Sequence, residues 1–525
     1  MQFFDVFDER SGGGVWLRTE DLADGQRNYF LSKQADGAHL HVEYPGLMTQ
    51  LEPNATTEFP VTTLGFHAGD WRASVQRYRD WLATWYRPVK AQDKTWLRAS
   101  FWLLAEITDD VPIKAHTKLP AWYDEERQRI TFRDVIQEWE RKAGYKPDIL
   151  HLWSWAYQEK TIQRWGEYGG QDYDRFGGQP AFKEAIADVQ DNLHIPMSLY
   201  INATLCCIDT PTGKLLADKA VQLPDGKPFI PYRDSFKMCH ATPEWTAHLV
   251  QTYQRLARET GAKMLYVDQL ATVQNMVRKT AGMCFHPGHG HPVPSRVNET
   301  DHRFIRTLRE AVPGDVALYG EFPYTDTTTQ FYDSAIHYYF HRGGGQAYSP
   351  IFDAESTRGT DIVALNLYRF LFPKLMHLDL PLGPAYDTWH PLKFTFFNGE
   401  SIYDSFWQLE ESRGHAFMVR AYELKKRFKD CFASDAPEML VPTERGSVYA
   451  NRFPGKARTV WTLYNARPNT MRGKVLALPH HEGATYRDEW NDKELQPEIR
   501  DGQAILSLEL GPQSIGCISQ TFPRP

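Results

Sequence analysis

Eight apolar, strand-like runs punctuate the middle of the chain at wide spacing, with helix-like segments between them. They are SFWLLAEI (100–107), DILHLWSW (148–155), IPMSLYINA (195–203), MLYVDQ (264–269), VALYGEF (316–322), AIHYYFH (335–341), KLMHLDLP (374–381) and KFTFFNGE (393–400). Amphipathic segments such as PAFKEAIADVQDNL, PEWTAHLVQTYQRLARETG and DHRFIRTLREAV precede the third, fourth and fifth runs. Strand and helix alternating in this way predict a parallel (β/α)₈ (TIM) barrel, an α/β fold, over residues 97–432.

The flanks have a different texture. Residues 1–65 alternate apolar and polar positions between turn residues, as in GVWLRTE, NYFLSKQ and HLHVEYP, and read as a small β-rich region. Over 66–96, Trp71, Val75, Tyr78, Leu82 and Trp85 recur at helical spacing after Gly69-Asp70, predicting a linking helix that ends before Pro88. Residues 433–525 return to alternation, as in GSVYANRFPGKARTVWTLYNARP, and predict a C-terminal β-sandwich.

Composition narrows the function classes. At 525 residues with 42% hydrophobic content the chain has material for several packed domains, and no run of ~18 apolar residues exists to span a membrane. A net charge of −7 without a Lys/Arg stripe leaves no footprint for nucleic acid. Neither nucleic acid nor membrane is expected as a partner. The start MQFFDVFDERSGGG lacks the basic and apolar regions of a signal peptide, so a cytoplasmic location is expected. Cys206, Cys207, Cys239, Cys284, Cys431 and Cys517 are scattered and form no CxxC pair, which fits reduced core thiols.

In a parallel barrel, chemistry sits where the strands end and open into loops. Two runs end on carboxylates there, Asp268 in MLYVDQ and Glu321 in VALYGEF. Side chains alternate along a strand, so Tyr266 shares a face with Asp268, and Tyr319 with Glu321. Two inward carboxylates on neighbouring strands suit glycoside hydrolysis, where one attacks the anomeric carbon and the other protonates the leaving oxygen. Asp268, beside the amide of Gln269, is expected to be the ionised nucleophile; Glu321, followed by Phe322 and Pro323, is expected to be the acid/base.

A strand ending YVDQ, the loop CFHPGHGHP (284–292) and a strand ending YGEFPYTD together resemble bacterial barrel hydrolases similar to endo-α-N-acetylgalactosaminidases and exo-acting α-N-acetylgalactosaminidases. The resemblance spans roughly residues 60–520, with its sharp motifs within about 264–326. It implies a retaining glycoside hydrolase acting on an α-galactoside or α-N-acetylgalactosaminide, with its nucleophile at Asp268 and its acid/base at Glu321. The large N-terminal β-supersandwich of those relatives is reduced here.

A sugar offers an apolar face for aromatic rings and hydroxyls for polar groups. Trp153 and Trp155 on the second run, Tyr200 and Asn202 on the third, Gln269, His289 and His291 beyond the fourth, and Asp379 on the seventh are the expected binding residues. His337 and Glu400 are further strand-end polar groups, and Arg342 precedes the loop Gly343-Gly344-Gly345. Cys284, His286, His289 and His291 invite a metal reading, but no second cluster supplies a distant ligand in the sequence, so neither metal nor cofactor is expected. Two other classes compete: a carbohydrate-binding barrel without catalysis, and a metal-dependent barrel hydrolase. The latter usually carries HxH on its first strand, and SFWLLAEIT has no histidine.

Overall fold

The computed structural model describes the whole chain except residues 9, 26, 45–52, 90–93, 107–122, 125, 154, 157–163, 232–233, 271–282, 322–324, 338–364, 381–391, 406–413 and 524–525. Its centre is a closed parallel barrel. We number the barrel strands β1 (Trp102–Glu106), β2 (Ile149–Leu152), β3 (Met197–Leu199), β4 (Met264–Val267), β5 (Ala317–Glu321), β6 (Ser334–His337), β7 (Met376–Asp379) and β8 (Ser401–Ser405). They pair in sequence order, and β8 closes on β1. The outer helices include α1 (Phe132–Ala143), α2 (Gln179–Ala187), α3 (Pro243–Thr260), α4 (Val297–Ala311), α5 (Leu392–Phe397) and α6 (His415–Arg427).

Seven strands overlap the apolar runs that predict them, the sixth starting one residue early at Ser334, and the eighth does not. KFTFFNGE forms α5 and a turn instead, while the eighth strand is the following Ser401-Ile402-Tyr403-Asp404-Ser405. Aromatic and β-branched residues favour strands only through their packing, and α5 is buried at every position, so periodicity there cannot separate helix from strand. Gly399, at φ 67°, takes a left-handed turn that an L side chain resists. Glu400 consequently lies before β8, at the opposite end from the barrel mouth.

Register fixes which side chains fill the barrel. Tyr266 pairs with Tyr319, Tyr319 with Ser334, and His151 with Ser198. His151, Ser198, Tyr266, Tyr319 and Tyr403 therefore build a buried interior layer, with the Tyr266 and Tyr319 rings stacked at 4.6 Å. The His151 Nδ1 lies 2.6 Å from the Tyr319 hydroxyl and 2.8 Å from Ser198 Oγ. Burial pushes His151 down to about 3, so it stays neutral. The barrel is a packed core below its mouth.

Three antiparallel strands, Phe3–Asp8, Gly13–Glu20 and Val61–Ala68, form the N-terminal sheet, and Asn28–Gln34 pairs with Gly37–Glu43 in a hairpin. The chain start docks beyond β5: the Met1 amino group lies 3.4 Å from Asp326, and the Gln2 amide donates to the same carboxylate at 2.9 Å. The helix Arg72–Trp85 buries Val75, Tyr78 and Leu82, as its spacing predicts. At the C-terminus a five-stranded and a three-stranded antiparallel sheet enclose a second core that includes Trp461, Leu476, Leu506 and Ile518. All six cysteines are free. Among the described residues no helix is long and apolar enough to cross a membrane.

Candidate active site

Asp268 follows β4 and is buried, yet it lies where the barrel core gives way to the mouth. The neighbouring strand direction supplies its donors. The Tyr200 hydroxyl donates to Asp268 Oδ2, and Asn202 Nδ2 donates to the same oxygen at 3.1 Å. Asn202 has no freedom to flip, because its Oδ1 already accepts the backbone amides of Thr204 (2.9 Å) and Leu205 (2.8 Å). A backbone bridge between Asn202 and Asp268 locks the two segments in register.

Tyr266, Glu321 and the Gln269 backbone amide act on this carboxyl in the same direction as these two donors. These donors hold the carboxyl down, but burial outweighs them and pushes it up to about 6. Tyr200 stays protonated, since burial first and the Asp268 charge second push its hydroxyl well above the ordinary tyrosine range. The sequence expected the raised value on Glu321 and an ionised Asp268; Asp268 is itself raised. Phe322 and Pro323, on which that expectation rested, lie outside the described residues.

Glu321 ends β5, one position beyond the Val267–Gly320 register pair, so the two carboxyls close adjacent strands on the inward face. Gln269 occupies a left-handed conformation, φ 57°, held by Thr204 Oγ1 donating to its carbonyl at 2.8 Å. Such a conformation costs a non-glycine residue about 1 to 2 kcal/mol and persists where its surroundings fix it. The strain falls directly after the carboxylate that the site is built around.

Trp153 is half-buried just beyond β2, its ring 5.1 Å from that of Tyr200. Trp155 is not brought to the mouth. It is fully buried, stacks on Tyr168, Tyr173 and Phe182, and donates its indole N–H to the Tyr200 carbonyl at 2.9 Å. β2 ends at Leu152, so strand alternation no longer governs Trp155.

Asp379 is not brought there either. Its register partner Ile402 lies on the outer face of β8, and Thr395 of α5 donates to Asp379 Oδ2 from the helix layer. The buried Glu400 is pushed up to about 8 by burial and by the Asp379 charge beside it. These two acids belong to the barrel's outside. His337 ends β6 in register with Asp379, while Arg342 and Gly343-Gly344-Gly345 lie outside the described residues.

His289 and His291 turn toward sulfur. His289 Nδ1 lies 3.3 Å from Cys284 Sγ, and Cys239 completes a group of four whose ligand atoms all fall within 4.8 Å of one another. Cys239 is the distant ligand, which forms no second cluster in the sequence, and these residue types suit a metal ion. Sequence reasoning also left Tyr266 out of the binding set, although its parity with Asp268 marks it.

A family described as Domain of unknown function (DUF6259) matches residues 59–295, a span that holds Asp268, Cys239 and Cys284 but stops short of Glu321. No curated protein matches. Among solved structures, the alpha-galactosidase from Lactobacillus brevis is 12% identical with a TM-score of 0.54, over 97% of this chain and 68% of that one. The GH36 alpha-galactosidase AgaA from Geobacillus stearothermophilus is 10% identical with a TM-score of 0.55, over 99% of this chain and 71% of that one. An Anoxybacillus alpha-amylase is 12% identical with a TM-score of 0.51, over 82% of this chain and all of its own. At these identities the likeness is one of fold: an eight-stranded parallel barrel flanked by antiparallel sheets.

Proposed function

We propose that this chain is a retaining glycoside hydrolase acting on an α-linked sugar of the galactoside or N-acetylgalactosaminide type. The observation that carries the reading is the pair Asp268 and Glu321, which close adjacent strands on the inward face of the barrel. Inverting enzymes hold their carboxyls roughly 6.5 to 9.5 Å apart to admit a water, whereas retaining ones hold them at roughly 5 to 5.5 Å. Strands spaced about 4.8 Å apart favour the shorter separation. The barrel-wide likeness to two alpha-galactosidases favours the galacto-type sugar.

In this reading Asp268, ionised above about pH 6, attacks the anomeric carbon while Glu321 protonates the departing oxygen. Loss of that proton leaves Glu321 as the base that activates water against the glycosyl ester on Asp268. Tyr200 and Asn202 hold the attacking carboxylate in place, and Trp153 offers a ring to the apolar sugar face. The test is a panel of aryl α- and β-galactosides and N-acetylgalactosaminides, with proton NMR of the first-formed anomer. Retention on an α-linked member is expected. Sugar binding without cleavage of any member would replace this reading with a non-catalytic carbohydrate-binding barrel.

A further inference from the structure

Two loops meet beside the candidate active site, and their contact is lined with sulfur and imidazole. The connection from β3 to α3 carries a short hairpin, Leu205–Cys207 with Ser235–Lys237, and Cys239 follows it. The connection from β4 to α4 carries Cys284, His289 and His291. The loops already share a backbone bond, Phe285 N to Gln222 O at 2.9 Å, and the Cys284 amide donates to Ser295 Oγ at 2.7 Å. Cys239 and Cys284 are buried around Val221.

The hydrogen bonds at the rim fix both histidine tautomers. His289 Nε2 lies 2.8 Å from the Asp218 carbonyl, which only accepts, so Nε2 carries the hydrogen and Nδ1 turns a lone pair toward Cys284. His291 Nδ1 lies 2.6 Å from the Pro292 carbonyl, so its lone pair is on Nε2. That Nε2 is buried and has no hydrogen-bond partner among the described residues. A backbone carbonyl on the far nitrogen is how metal-binding histidines are oriented.

Hydrogen bonding alone does not satisfy this group. The Cys284 sulfur meets His289 Nδ1 at 3.3 Å, while the buried His291 Nε2 is left without a hydrogen-bond partner among the described residues. A tetrahedral ion with sulfur at about 2.3 Å and nitrogen at about 2.0 to 2.1 Å sets its ligands roughly 3.4 to 3.8 Å apart. The 3.3 Å contact and the 4.8 Å envelope lie close to that geometry and need only small side-chain adjustment.

We propose that Cys239, Cys284, His289 and His291 bind one structural zinc ion that staples the β3–α3 loop to the β4–α4 loop. Two thiolates and two imidazoles suit zinc, and four protein ligands leave no open position for water or substrate. Binding sends the two thiol protons to solvent. The staple acts close to the candidate site. His240, next to Cys239, lies 2.8 Å from the Ala203 carbonyl, and the Ala203 amide donates to the Asp268 carbonyl at 3.1 Å.

The test uses the full chain, purified without a histidine tag from zinc-supplemented culture. Elemental analysis should give one zinc per chain, and chelation should release it and lower Tm. Loading the chelated protein with Co²⁺ should give the visible bands of tetrahedral cobalt with thiolate-to-metal charge transfer. Cys239→Ser combined with Cys284→Ser should abolish both signals; where that variant fails to fold, the cobalt spectrum of the unaltered chain still decides. Protein without zinc that gives no cobalt–thiolate bands, a Cys239–Cys284 disulfide, or a double variant that keeps stoichiometric zinc would each overturn the proposal. None of these readouts depends on glycosidase activity.

Discussion

Asn202 donates its amide to Asp268 Oδ2 at 3.1 Å across the β3–β4 boundary, with its own oxygen tied to two backbone amides. The Tyr200 hydroxyl donates to the same oxygen. Asp268 thus sits in a pocket of fixed donors, while its burial still raises it to about 6. That balance between donors and desolvation has consequences for rate and for stability.

The rate consequence is an acidic limb. The nucleophile must be ionised, so kcat/KM should fall about tenfold per pH unit below about pH 6. Tyr200→Phe deletes a donor that holds Asp268 down, so its limb should move to higher pH, with kcat reduced by roughly tenfold or more. The pH–rate profiles of both proteins check this. A limb that stays in place in Tyr200→Phe contradicts the role given to the hydroxyl.

The stability consequence has the opposite sign from that of an ordinary salt-bridged aspartate. Asp268 is raised from 3.8 to about 6 in the fold, so folding favours its protonated form. That contribution is fully present below about pH 3.8 and is lost as pH rises through 6, at a cost of up to about 3 kcal/mol. Asp268→Asn removes the charge, so it should raise Tm at pH 8 and leave it unchanged near pH 4, while abolishing turnover. Thermal melts at the two pH values report the difference.

The two tryptophans of the second run should behave differently. Trp155 fills the core against Phe182 and Tyr173, so Trp155→Ala should cost about 3 to 5 kcal/mol in stability. Trp153 is half-buried beside Tyr200, so Trp153→Ala should raise KM several-fold with Tm little changed. Denaturant melts beside steady-state kinetics separate the two effects.

Asp379 faces Thr395 and the helix layer, so Asp379→Asn should keep kcat within roughly twofold to threefold of the parent, as for a group outside the transition state. A loss as large as that of Asp268→Asn would place Asp379 at the mouth after all. Parallel kinetics of the two variants decide.

The barrel was legible because seven of its strands are apolar runs flanked by amphipathic helices. The eighth was hidden: KFTFF carries strand-like residues into a fully buried helix, while Ser401–Ser405 places Ser and Asp in a real strand. Asp268, Glu321, Tyr200 and Asn202 could be assigned to one face by alternation, which holds while a segment stays in the sheet. Trp155 and Asp379 show where that rule stops. One lies past its strand's end, and the other falls on the outward parity once β7 and β8 are in register. Cys239 had no local signal, because it meets Cys284 only through the packing of two long loops.

The central claim is that Asp268 carries the glycosyl group during turnover. Incubation with a 5-fluoro-α-galactosyl fluoride, followed by intact-mass measurement and peptide mapping, tests it directly. A single fluorosugar adduct on the peptide containing Asp268, absent from Asp268→Asn, is the predicted result. An adduct on any other residue, or inversion at the anomeric centre with no adduct at all, would contradict it.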